Sequence, residues 1–88
     1  IEQSSLEITG ANPLNDVLQF SFELVSPDYV DISIYDLQGK LVQNVYSNYI
    51  SGGKYNFNTN TTNIKTGYYI LKLSSNKFNS QKAFIIQR

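Results

Sequence analysis

An all-β sandwich is the fold class this sequence predicts, on three observations. Ile, Val, Tyr and Phe carry the apolar content while alanine is scarce, a bias toward strands. Short stretches alternate apolar and polar residues with the two-residue period of a half-buried strand. Clusters of Asn, Asp, Gly, Pro and Ser separate these stretches at about 8–12 residues, the spacing of a β-sandwich. An immunoglobulin-like antiparallel β-sandwich of about seven short strands fits best, without the cysteine and tryptophan signature of true immunoglobulin domains; a jelly roll or small barrel is the alternative.

The elements follow in order. Leu6 and Ile8 alternate with Ser5, Glu7 and Thr9, so residues 1–11 are either the end of a linker or a first strand. Residues 10–16 form a turn, since Pro13 forces Asn12 to be extended and Asn15 and Asp16 can bond their own backbone. Leu18, Phe20, Phe22 and Leu24 then make the cleanest half-buried strand, broken by Ser26, Pro27 and Asp28. Val30, Ile32 and Ile34 alternate through a second such strand. Residues 36–39 close a hairpin, with Gly39 suited to a left-handed position, and residues 40–46 return antiparallel with no evident buried face. Ser51, Gly52 and Gly53 turn the chain into a short strand around Tyr55 and Phe57. Residues 58–66 are a polar loop or single helical turn, with Ile64 as its plug into the core.

The last 22 residues, from Gly67, read as a β-hairpin. Tyr69, Leu71 and Leu73 alternate with Tyr68, Ile70 and Lys72, and residues 74–80 are polar and turn-rich. Residues 81–86 are apolar on both faces, with Ala83 and Ile85 on one and Phe84 and Ile86 on the other. Such a strand is either central in a sheet or offers one face to a partner. An outward apolar stripe of Tyr68, Ile70, Phe84 and Ile86 is the expectation.

Composition narrows the chemistry. The 88 residues suit one domain and include no cysteine, histidine, methionine or tryptophan. Thiol nucleophiles and the usual general base and metal ligands are therefore missing. Asp31 and Asp36 are the natural carboxylate pair for catalysis, yet on one extended strand they stand about 17 Å apart and point to opposite faces. Asp36 reads instead as the cap of its hairpin turn, and Asp31 as a solvated strand position. Asn12, Asn15 and Asp16 could gather oxygen ligands for calcium, but turn formation is the commoner use of such residues. No enzyme, cofactor or metal centre is expected.

Net charge is zero, with 7 acidic and 7 basic side chains. Every acidic residue lies between Glu2 and Asp36, and every basic one between Lys40 and Arg88. Acidic and basic strands lying side by side would account for this, and a field that docks a partner is the alternative. Without a basic excess there is no nucleic-acid surface. The longest apolar run, residues 83–86, falls far short of the ~20 residues that span a bilayer. A start at Ile1 with no leader reads as a piece of a larger protein whose export signal lies upstream.

Three segments, in order, resemble the type A C-terminal sorting domain of the bacterial type IX secretion system, over residues 12–88. Asn12-Pro13 precedes a strand. The run VDISIYDLQGKLV places Tyr35, Asp36, Gly39 and Lys40 as the family's strand, Tyr-Asp turn, Gly and basic residue. Gly67 and Tyr69 open the final hairpin, and Lys82, Ala83, Phe84, Ile85, Ile86, Gln87 and Arg88 make its basic-flanked apolar end. Two departures stand out: Gly10-Ala11 replaces a Tyr-Pro common before Asn-Pro, and Ala83 is smaller than usual.

The resemblance implies a sandwich fused behind an N-terminal cargo, carried across the periplasm and through an outer-membrane translocon to the cell surface or beyond. It implies removal by a sortase-like protease near the domain's start, with residues 82–88 recognised by translocon components. Exposed strand edges also permit an edge-strand dimer. The competing reading is a carbohydrate-binding or spacer module of a secreted enzyme, motivated by Tyr29, Tyr46, Tyr49, Tyr55 and Tyr68, for which packing is the expected main role.

Overall fold

The structure is a computed structural model that describes residues 4–10, 12 and 14–87. Seven strands follow one another: β1 (Ser5–Ile8), β2 (Val17–Leu24), β3 (Asp28–Asp36), β4 (Leu41–Ile50), β5 (Gly53–Asn60), β6 (Gly67–Ser75) and β7 (Asn79–Ile86). They form a three-stranded sheet, β1-β2-β5, and a four-stranded sheet, β4-β3-β6-β7. All strand pairs are antiparallel, and the two sheets form the sandwich expected from the sequence.

Alternation decides which side chains fill the space between the sheets. Leu18, Phe20, Phe22 and Leu24 of β2 face Val30, Ile32 and Ile34 of β3 and Tyr69, Leu71 and Leu73 of β6, all buried in one core. Aromatic rings close one flank: the Phe20 and Phe57 centroids lie 5.7 Å apart, Phe22 and Tyr55 5.2 Å, and Tyr46 meets Phe57 edge-on at 4.8 Å. These spacings are favourable for aromatic pairs, which adds to their area burial. Ile64 plugs the core from the β5–β6 connection as expected. Beside it, Thr61 is buried with its backbone N–H and hydroxyl both donating to the Asp16 carbonyl, at 2.7 and 2.8 Å.

The ambiguous face of the fourth strand has a physical cause. Pairing between β3 and β4 shifts register between Ile32 and Ser33 and again between Ile34 and Tyr35. Each irregularity resets the alternation, so Val45 and Tyr46, adjacent in sequence, both pack against the core. The polar turn of the last hairpin is also shorter than the sequence reading made it. β6 continues to Ser75 and β7 starts at Asn79, closed by Ser75 N–H donating to the Phe78 carbonyl at 2.8 Å.

The charge halves interleave. The topology sets β2 against β5 and β3 against β6, and in the first pair Glu23 stands opposite Lys54. Side-by-side placement of acidic and basic strands is what the fold does with a sequence polarised along its length.

Candidate functional site

The last strand is an edge. β7 pairs with β6 on one side only, and β1 contacts it without joining it in a sheet. Register then settles its faces, because residues directly opposite in an antiparallel pair share a face. Tyr69 stands opposite Phe84 and Gly67 opposite Ile86, while Tyr68 stands opposite Ile85 and Ile70 opposite Ala83. Tyr69 points inward, and Phe84 and Ile86 go with it, 1% and 0% exposed.

The expected stripe of Tyr68, Ile70, Phe84 and Ile86 is therefore corrected. Phe84 and Ile86 belong to the core, and the outward positions are Tyr68, Ile70, Ala83 and Ile85. Tyr68 is 64% exposed, Ala83 is exposed, and Ile70 and Ile85 are half-buried. Next to Ile70, a shallow hollow of about 220 Å³ opens between Tyr35, Leu37, Lys72 and Gln81. Of the proposed recognition residues, Lys82 and Gln87 are exposed and Arg88 lies outside the described residues.

A segment far upstream holds the end of β7. Asn12 Oδ1 accepts the Ile85 N–H at 3.0 Å, across 73 positions of sequence. Leu14 N–H donates to the Ile85 carbonyl at 2.8 Å, and Gln87 N–H donates to the Leu14 carbonyl at 2.9 Å. This forms a parallel bridge between Leu14 and Ile86, and both side chains are buried. Just before it, Thr9 and Gly10 N–H groups bond the Gln19 carbonyl in the other sheet. Gly10 thus bonds one sheet while Asn12 and Leu14 bond the other and clip the closing strand. Pro13 of that motif lies outside the described residues.

The remaining motif positions are placed on turns and packing contacts. Asp36 Oδ1 accepts the N–H groups of Gln38 and Lys40, both at 2.9 Å, and Gly39 takes a φ of +87° that a side chain would strain. Lys72 Nζ lies 5.8 Å from the centre of the Tyr35 ring, a cation–π contact on the outer face. Tyr69 builds a tyrosine corner: its ring packs 5.9 Å from Phe84 and its hydroxyl donates to the Lys65 carbonyl at 2.7 Å. A tyrosine at the start of the sixth strand, after a buried plug, was the signal for it in the sequence. Tyr69→Phe keeps the ring and loses the hydrogen bond, so a loss of about 0.5–1.5 kcal/mol is expected in urea unfolding.

Asp28 is a structural residue that sequence reasoning missed. It is buried, and its carboxylate accepts the N–H groups of Tyr29 at 2.7 Å, Asn76 at 3.3 Å and Lys77 at 3.2 Å. Burial pushes its pKa up, but hydrogen bonds from the Ser75 hydroxyl and those three N–H groups outweigh it and hold the pKa below the ordinary 3.8. A lowered folded pKa stabilises the fold fully above the unfolded value, and the contribution is lost as pH falls through the folded one. Stability should therefore fall as pH drops through the ordinary carboxylate value of 3.8 and below it. Urea midpoints of Asp28→Asn across that range should show a flatter pH dependence.

Asp31 stands five residues before Asp36 on β3, among neutral polar side chains. It accepts from Ser33 Oγ at 3.0 Å, Asn44 Nδ2 at 3.0 Å and Ser47 Oγ at 3.2 Å in a polar cluster on the outer face. Among the described residues no three His, Cys, Asp or Glu side chains gather as a metal cage. Of the tyrosines considered for sugar binding, Tyr46 and Tyr55 pack on the core, while Tyr29, Tyr49 and Tyr68 are exposed.

Fold and site together define a β-sandwich module whose final strand is at once a core element and a sheet edge. The chain belongs to the secretion system C-terminal sorting domain family, whose model matches residues 11–87. It carries the type IX secretion sorting signal of that family, which is non-catalytic in general. Membership implies interaction with the type IX secretion machinery and secretion by way of the outer membrane. No curated protein matches the chain.

Proposed function

We propose that this domain is a non-catalytic address that delivers a cargo fused ahead of it through the outer-membrane type IX translocon to the cell surface or the medium. A sortase-like protease then removes the domain near its start, and residues 12–88 are the sorting unit. The observation that carries the reading is the family match over residues 11–87. The edge position of β7 supports a role for residues 82–88 in recognition, since an edge strand is reachable from outside the sandwich.

Deleting residues 82–88 should leave a fused reporter in the periplasm, and normal surface delivery of that truncation would end the reading. The deletion also removes Phe84 and Ile86 from the core, so exposed positions separate recognition from folding. Lys82→Ala with Gln87→Ala should stay within about 0.5 kcal/mol of the parent in urea unfolding and still lower delivery.

A further inference from the structure

We propose that β7 takes up an extended, acidic segment of the secretion machinery as an added strand, bonded to the backbone of Gln81 and Ala83. The inference deepens the sorting reading and rests on it. Along a strand the N–H and C=O of one residue point to the same side, and successive residues alternate. Ile85 directs both groups away from β6, to Asn12 and Leu14. Ala83 and Gln81, two and four residues earlier, therefore direct theirs the same way. Their neighbours Lys82 and Phe84 bond inward to Leu71 and Tyr69.

The edge already accepts a strand. The chain's own Asn12 and Leu14 bond Ile85 and Gln87, with Leu14 bridging Ile86 in parallel, whereas Gly10 before them bonds Gln19 of the other sheet. Past those contacts, no strand is paired with β7 on its outer side among the described residues. Backbone donors and acceptors in a row with no proline among residues 79–86 are a template for strand addition.

Charge selects the occupant. β7 itself carries no acidic residue, and its exposed Lys82 stands between Gln81 and Ala83. An acidic strand complements that field. A second copy does not, because two-fold pairing centred on this stretch sets Lys82 beside its own copy, and like charges directly across a ladder destabilise it.

Proline tests the edge without touching the inward ladder, since it is tolerated on edge strands where the N–H faces out. Gln81→Pro and Ala83→Pro, in the full cargo chain, should fold by circular dichroism and urea midpoint. Removing outward hydrogen bonds should then lower surface delivery about ten-fold. Asn63→Ala, at an exposed position outside β7, should deliver like the parent. Folded proline variants delivered at the parental level would overturn strand addition.

Hydrogen exchange gives a second reading that needs no variant. The Gln81 and Ala83 amides should exchange about ten-fold more slowly in the chain held by detergent-solubilised translocon than in the free chain. Unchanged exchange overturns the proposal, as does protection that arises when the chain alone is concentrated, which would make the occupant a second copy. If deleting residues 82–88 leaves delivery intact, the sorting reading itself fails. If the deletion blocks delivery and folded proline variants still deliver, only strand addition fails.

Discussion

Phe84→Ala should cost about 3–5 kcal/mol, the range for removing a buried aromatic ring from a core. Phe84 is 1% exposed and packs tilted against Tyr69, so the cavity opens beside the tyrosine corner that fixes the start of β6. Small domains hold only about 5–15 kcal/mol in total, so this one change takes about a fifth of the stability or more. Urea unfolding measures it directly. Delivery of a fused reporter should fall together with stability, whereas Ala83→Ser, on the outer face two strand positions from Ile85, should leave the midpoint unmoved. A Phe84→Ala domain as stable as its parent would contradict the register that turns Phe84 inward.

Leu14→Ala should cost about 2–5 kcal/mol, the range for a buried leucine. Its particular consequence lies far away in sequence. Leu14 bridges Ile86, and its backbone brackets Ile85 and Gln87, so a cavity there should loosen the end of β7. The Gln87 amide, which donates to the Leu14 carbonyl, should lose protection in hydrogen exchange before the centre of β3 does. Asn12 of the Asn-Pro motif thereby acquires a physical meaning: with Leu14 it closes the sandwich against the final strand.

Much of this architecture was legible because it depends on short-range pattern. The period-two runs at 18–24 and 30–34, the Asp36 turn with Gly39, and Ile64 as a plug all stand in the structure as read from the residues. Each needs only a strand's alternation, a side chain reaching two or four residues ahead, or one apolar residue in a polar loop. β4 resisted reading because two register shifts break its alternation. The Asp28 carboxylate reads as a turn residue locally, yet it serves a turn 48 residues away.

By itself, the sequence determined that this is a small all-β domain with its family motifs in order, because alternation and turn chemistry are local properties of the chain. Only the tertiary structure decided what the last strand does with its two apolar faces. A strand apolar on both sides has no preferred face of its own, and a register change of one residue would exchange them. The pairing of Tyr69 with Phe84 makes that choice, sending Phe84 and Ile86 into the core and leaving Ala83 and Ile85 outside. Its place at the sheet edge, clipped at one end by Asn12 and Leu14, follows from long-range pairing that no stretch of sequence contains.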